Sequence, residues 1–383
     1  MVSSGPLENS FSTPPAIRLA GLDIARFLAF VGMVLVNFKV ATNASMSAET
    51  PSWLASMHPL LEGRAAALFV LLAGLGIGFG AQKAFNKGVS AADIRKKQAK
   101  RGLILFAFGL LNLIIFDADI LHFYGIYFLL ACTALTGNRK SLLTLAFVII
   151  LFSLALHFVF DYEAGWDWQT LQYEGLWSPD GFIRNTFYNG FHPVFPWISF
   201  LLFGMALAQL NLQSATVRLR IAGAGLALMF AGALFAQMGR DIIALPEVAQ
   251  DQEFVELVQA LMSSSPIPPS PIYMISASGA ALVVLVFCLW LGDWFGQRAW
   301  MKPILTTGQQ ALTLYIAHII VGMGIMEAMG WIAMAGSEPD PPTLEQVSVY
   351  SGFFLIGCMI YAVTWRHYLG AGPLERLLRK LSA

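Results

Sequence analysis

Apolar runs alternate with short polar stretches along almost the whole chain. Runs long enough to cross a bilayer, roughly 17–25 residues each, lie near 20–41, 64–82, 102–117, 119–136, 141–160, 193–210, 217–237, 271–292, 303–327 and 346–367. They predict an all-α integral membrane protein, a bundle of about ten transmembrane helices. Only Asp117-Ala118-Asp119 separates the third run from the fourth, which predicts a tight helical hairpin.

The polar stretches sort by charge. Lys83, Lys87, Arg95, Lys96, Lys97, Lys100 and Arg101 follow the second run, and every second stretch thereafter is again basic: Arg139-Lys140, Arg218 and Arg220, Arg298 and Lys302, then Arg366, Arg376, Arg379 and Lys380. The intervening stretches are acidic. Residues 161–190 set Asp161, Glu163, Asp167, Glu174 and Asp180 against Arg184 alone, and 239–270 set Asp241, Glu247, Asp251, Glu253 and Glu256 against Arg240. Residues 42–57 and 328–345 contain no cation. This is the positive-inside pattern. It places both termini in the cytoplasm and His58, His122 and His192 at outer helix ends, in a multi-pass protein of the cell membrane, in a bacterium the inner one.

Composition agrees: 57% of residues are apolar, 12% are charged, and mean hydropathy is +0.65, where a soluble domain carries about 25% charged residues. A formal net charge of +0 gives no support for a nucleic-acid partner. Cys132, Cys288 and Cys358 all lie inside apolar runs, as small core residues without disulfide or metal-site spacing. The Ser/Pro-rich residues 1–19 predict a disordered tail. A cleaved signal peptide is not expected, because the first run contains Asp23 and Arg26. Residues 20–367 form one membrane domain. Residues 368–383, with Pro373-Leu374-Glu375-Arg376-Leu377-Leu378-Arg379-Lys380, form a cytoplasmic amphipathic tail whose Leu residues suit the bilayer and whose Arg residues suit lipid phosphates.

Histidines and acids carry the candidate chemistry. His58-Pro59-Leu60-Leu61-Glu62-Gly63-Arg64 stands at the outer mouth of the second run, with Glu62 four residues after His58 and on the same helix face. A carboxylate there orients an imidazole and raises its basicity, as a general base requires; interfacial anchoring is the plain alternative. His122 follows Asp119 by three residues, where Asp119 is either an acid–base partner or a helix cap. His192-Pro193 repeats the His-Pro pairing beside Phe195-Pro196-Trp197, a segment that also suits an interfacial aromatic belt. His318 lies about fifteen residues into the ninth run, past mid-bilayer at about 1.5 Å per residue. Gln310, Leu314 and Tyr315 share its general side. An ionisable residue at that depth marks a pathway or cavity by default, with interhelical hydrogen bonding as the alternative. His157 and His367 suit the membrane interface. Asp23 and Arg26 pair with each other or a neighbour, and Arg64 either snorkels or holds an anion. The glycines from Gly74 to Gly80 lie inside a span with no preceding strand, so they serve helix packing and not nucleotide binding.

Several segments resemble known families. Leu22-Asp23-Ile24-Ala25-Arg26, followed by an apolar helix ending in Val36-Asn37-Phe38, resembles the first span of the transmembrane acyltransferase superfamily. The acyltransferase 3 branch has a His eleven residues after its Arg or Lys; here that position is Asn37. His58 to Gly63, entering a Phe- and Gly-rich helix, is similar to the heparan-alpha-glucosaminide N-acetyltransferase family, in which the matching His is the proposed catalytic residue on the non-cytoplasmic face. Asp119-Ile120-Leu121-His122-Phe123-Tyr124-Gly125 resembles a segment of the same family. Thr307-Gly308-Gln309-Gln310-Ala311-Leu312-Thr313-Leu314-Tyr315 and Gly372-Pro373-Leu374-Glu375-Arg376 resemble a third branch, the YeiB-like proteins (domain of unknown function 418), although Gln309 stands where that branch has Arg.

The resemblance implies a membrane acyltransferase that takes acetyl-CoA or another acyl-CoA from the cytoplasm, uses no metal, and acylates a hydroxyl or amine on a glycan or small molecule outside. His58, Glu62, Asp119 and His122 are then the catalytic candidates. Arg64, His192, Gln310, Tyr315 and His318 line the substrate path, and Arg26, Asn37, Lys97 and Arg101 meet the CoA. The Arg95–Arg101 cluster alternatively only sets topology and contacts anionic lipid. The bilayer is the expected partner, and self-association as a homodimer is compatible with the pattern. The rival reading is a transporter or flippase of a small anion or lipid-linked sugar, although the chain shows neither inverted repeats nor paired broken helices.

Overall fold

The computed structural model describes residues 19–47, 50–168, 170–332 and 340–383. The tail expected over 1–19 therefore lies, except for Leu19, outside the described residues. Helix α1 (Ala20–Thr42) stops at Asn43, whose left-handed backbone ends it. The second apolar run becomes α3 (Arg64–Phe85), and α2 (Ser52–Leu61) precedes it across Gly63, which sits at φ +69°. A Cβ at Gly63 would stand 2.5 Å from both Pro266 and the Tyr273 hydroxyl, so conformation and space together require glycine there.

Helix α4 (Ala91–Leu113) begins in the basic cluster and runs unbroken into the third apolar run; Ser90 caps it by accepting from the Asp93 N–H. It packs on α5 (Leu121–Ala134), and the expected hairpin forms across Asp117–Asp119. Then follow α6 (Arg139–His157), a two-stranded hairpin of β1 (Trp166–Asp167) and β2 (Gln172–Tyr173), α7 (Pro179–Arg184), α8 (Val194–Leu207), α9 (Ala215–Ile243), α10 (Gln252–Met262) and α11 (Pro271–Phe295). The ninth run is divided into α12 (Lys302–Gln309), α13 (Ala311–Ala317), a π-helical turn over His318–Met323, and α14 (Gly324–Ala328). Helices α15 (Leu344–Tyr368) and α16 (Pro373–Leu381) complete the chain.

Among the described residues, seven helical segments are long and apolar enough to cross a membrane, or eight if the pair Pro179–Asn189 and Val194–Leu207, bent by 48°, counts as one span. The expectation of about ten includes α4 and α5. The first carries the basic cluster in its opening turns and the second has only 14 residues, so neither has the length and apolarity of a span by itself.

Burial separates two rings. The apolar windows of the segment Ser52–Phe85 and of α11 are 56% and 61% buried, those of α6, α9 and α15 only 17%, 22% and 22%. The latter expose Phe147, Leu226, Phe230, Phe353 and Ile360. Apolar side chains in that number on the outside suit lipid and not water. The protein is thus an all-α, multi-pass membrane protein, and its polar groups are gathered inside the inner ring.

Candidate functional site

Two cavities penetrate the inner ring from opposite ends. The first lies at the end bearing the acidic loops, measures about 330 Å³, and is lined by the last turns of α1, the α2–α3 break, Ala118 and Ile120, Leu171, the 191–197 segment and residues 265–267. The second, of about 580 Å³, opens at the basic end among α1, α3, α4, α5, α12, α13 and α16. Ile120 lines both. One side chain, itself 1% exposed, forms the junction between them.

A buried polar network holds that junction. Asp119 accepts from Asn112 Nδ2 at 3.1 Å, from the Tyr315 hydroxyl at 3.0 Å, and from the N–H groups of Leu121 at 2.8 Å and His122 at 3.3 Å. The carboxylate therefore caps α5 and ties it to α4 and α13. The Tyr315 oxygen in turn accepts the Ile120 N–H at 3.1 Å. His122 Nδ1 lies 3.7 Å from Asp119, its ring is fully buried, and neither ring nitrogen has a hydrogen-bond partner. His122 lines neither cavity.

In the acidic-end cavity, Lys39 Nζ pairs with Glu62 Oε1 at 2.6 Å, so α1 is joined to the α2–α3 break. His192 and Trp197 line the same space with their rings edge-on at 4.6 Å, and His192 Nδ1 and Trp197 Nε1 are buried without hydrogen-bond partners. Asn37 lines it as well, with its Nδ2 3.0 Å from His318 Nε2. His58 is 1% exposed and sits behind the rim: its Nε2 is 3.3 Å from Ser348 Oγ, and its Nδ1 is buried without a partner. Glu62 pairs with Lys39 and not with His58. Arg64 bonds the Pro59 carbonyl at 3.2 Å and Ser276 at 3.4 Å.

The basic-end cavity has a different lining. Arg26 is paired with Asp23 at 2.8 Å, whereas Arg101, Arg366 and Arg379 face the cavity with no ion pair among the described residues. Burial and the neighbouring Arg379 hold the Arg101 pKa below its ordinary value, a balance that a bound anion reverses. Gln310 and Tyr315 line this cavity. Its neighbour, of about 480 Å³, shares Gly76, Ile77 and Arg101 and adds Lys96, Lys97 and Lys100. Among the described residues, no group of three or more His, Cys, Asp or Glu side chains has metal-binding geometry.

The structure therefore brings Asp119 and Tyr315 together at the junction, Asn37, Glu62 and His192 around one cavity, and Arg26, Arg101 and Gln310 around the other, with Lys97 in the adjoining space. Residues not foreseen from sequence are Lys39, Trp197, Arg366 and Arg379. Lys39 had a signal, since a cation in the last turns of an apolar helix is seldom idle. The arginines near the C-terminus were legible as basic but not as neighbours of α4.

The family model of the heparan-alpha-glucosaminide N-acetyltransferase catalytic region matches residues 18–242, more than half of the chain. The chain belongs to that family. A second model, that of the protein family of unknown function DUF418, matches residues 213–383. Comparison with curated proteins gives no match. The two matched segments meet at the junction: the acetyltransferase segment supplies Asp119 and Ile120, and the DUF418 segment supplies Tyr315, His318, Arg366 and Arg379. A membrane protein of an acetyltransferase family thus builds its central wall from both halves of its sequence.

Proposed function

We propose that the protein transfers an acyl group, acetyl in the simplest case, from cytoplasmic acyl-CoA to a hydroxyl or amine acceptor on the opposite side of the membrane, such as the end of a glycan. The observation that carries this reading is the pair of cavities meeting at Ile120. Arg101, Arg366 and Arg379, with Lys97 beside them, suit the phosphates of CoA, because guanidinium and phosphate pair in a strong charge-assisted geometry. The acidic-end cavity, with amide, imidazole, indole and ion-pair groups on its walls, suits a polar acceptor.

In the reaction, the acceptor N or O attacks the thioester carbonyl carbon, the C–S bond breaks, and the acceptor proton passes to a base and finally to the CoA thiolate. The base role goes to His58, the position implied by the family resemblance, whose buried ring does not itself line the cavity that Lys39 and Glu62 line. His192, which lines the cavity directly, is the competing imidazole. The positive-inside charge pattern supports placing the basic end in the cytoplasm. Transport or lipid flipping is not favoured by the family match.

The test is release of free thiol from acetyl-CoA by purified protein, with membrane extract as the acceptor source. Release should fall at least about 100-fold in His58→Ala and much less in His192→Ala. The reverse order would move the base to His192, and no release by folded wild-type protein that also fails to bind acetyl-CoA would reject acyl transfer.

A further inference from the structure

His318 is fully buried and lines no cavity, yet it opens a π-helical turn, His318–Met323, a feature that is rare and frequent at functional sites. Its ring packs against Phe38 at 5.9 Å and Tyr315 at 4.7 Å. Its two nitrogens have different partners. Nδ1 meets the Tyr315 carbonyl, and Nε2 meets Asn37 Nδ2 at 3.0 Å.

Hydrogen-bond chemistry fixes the order of this chain. A carbonyl oxygen only accepts, so Nδ1 carries the proton. In the neutral ring Nε2 is then an acceptor and takes an N–H from Asn37. The Asn37 amide nitrogen is thereby committed to His318. Its oxygen, Oδ1, is turned away and finds no donor among the described residues, while Asn37 itself lines the acidic-end cavity. The arrangement spans both family segments, with Asn37 in one and His318 in the other.

We infer that His318 is a positioning residue for acyl transfer: it locks the Asn37 amide so that Oδ1 faces the acceptor and takes the hydrogen of its attacking O–H or N–H. The inference rests on the acyl-transfer reading above. The Tyr315 carbonyl sets the tautomer, the tautomer sets the amide, and the amide directs the nucleophile. Because Tyr315 also bonds Asp119 and the Ile120 N–H, the same residue fixes the wall through which the acyl carbon is reached and the group that aims the attack. A simple interhelical tie between α1 and the π-helical turn requires no particular amide orientation, so the two roles differ in what they predict.

The experiment is a double-mutant cycle on kcat for transfer from acetyl-CoA, using Asn37→Ala, His318→Ala, both together, and His318→Gln. His318→Ala should lower kcat about tenfold or more, the worth of one oriented hydrogen bond, with acetyl-CoA affinity unchanged. Adding His318→Ala to Asn37→Ala should cost nothing further, because the histidine acts through the amide. His318→Gln, which can donate to Tyr315 and accept from Asn37, should recover most of the rate. Additive losses, or a wild-type rate in His318→Ala, overturn the inference and leave acyl transfer standing. A wild-type protein with no thiol release removes the acyl-transfer reading and this inference with it. Ring nitrogen-15 shifts of His318 in the folded wild type give a readout that needs no variant: the Nδ1–H tautomer is expected, and the Nε2–H tautomer contradicts the geometry.

Discussion

At the scale of residues, the same element types do different work according to their partners. Asp119 and Glu62 are both acids close to a histidine in sequence, and spacing offers each as that histidine's partner, with a helix cap as the alternative for Asp119. The structure separates them. Asp119 is saturated by four donors at the cavity junction, whereas Glu62 is half-exposed in a cavity and pairs with Lys39. Sequence spacing reports helix faces but not which distant side chain fills a carboxylate's lone pairs, and Asn112 and Tyr315 lie on other helices. Asp119→Ala strands the Tyr315 hydroxyl, the Asn112 amide and two backbone N–H groups in a buried site. We predict a loss of about 3–5 kcal/mol, at 1–3 kcal/mol for a stranded buried group with partial relaxation, read as a large drop in melting temperature in detergent. Asp119→Asn should cost less. Ile120→Trp tests the junction itself: acetyl-CoA should still bind, while transfer should fall about 100-fold, the cost of displacing reactants from their attack geometry.

At the scale of elements, the apolar runs located the long helices but not the short α2, α7 and α10, which lie largely in stretches read as polar loops, and the tight hairpin at Asp117–Asp119 was visible because so few polar residues separate two apolar runs. Hydropathy also missed the breaks. Gln310 and the π-helical turn interrupt the ninth run, where no Pro marks the position and an apolar break looks like continuing helix, and Gly63 divides α3 from α2, a helix that lies before the second run. Two of these breaks reach a cavity: Gly63 lines the acidic-end one and Gln310 the basic-end one. Gly63→Ala forces an L side chain into φ +69° and against Pro266 and Tyr273. We expect about 3 kcal/mol of destabilisation from strain and overpacking together, measurable by thermal unfolding. The C-terminal helix was legible as amphipathic but not as part of a site. Glu375 in α16 accepts from the N–H groups of Leu312 at 2.8 Å and Thr313 at 3.0 Å, and so docks α16 on the start of α13, where Leu378 and Arg379 reach the basic-end cavity. Arg379→Ala should weaken acetyl-CoA binding about tenfold by calorimetry, the worth of one charge-assisted contact. Unchanged affinity would remove α16 from the donor site.

At the scale of the whole molecule, the alternation of basic and acidic loops coincides with the placement of the two cavities. The cavity lined by Arg101, Arg366 and Arg379 opens at the basic end, and the one with the Lys39–Glu62 pair opens at the acidic end. Charge asymmetry in the loops was readable from sequence, but the back-to-back cavities were not, since they arise from residues as far apart as Ile120 and Tyr315. Sidedness is testable directly. Trp177, 61% exposed in the acidic 161–190 loop, replaced by Cys in a Cys132→Ser background should react with an impermeant maleimide from outside intact cells only. Reaction only from the cytoplasmic side would invert the topology.

Passage of an acyl group from one cavity to the other through the wall at Ile120 is measurable in sealed vesicles of uniform orientation. Labelled acetyl-CoA is supplied only at the basic end and an amine or hydroxyl acceptor pool only at the acidic end. Thiol release on the donor side should be matched by labelled acceptor on the other, both suppressed by Ile120→Trp. Acylation only when donor and acceptor share one side, or transfer unaffected by filling the junction, would contradict it.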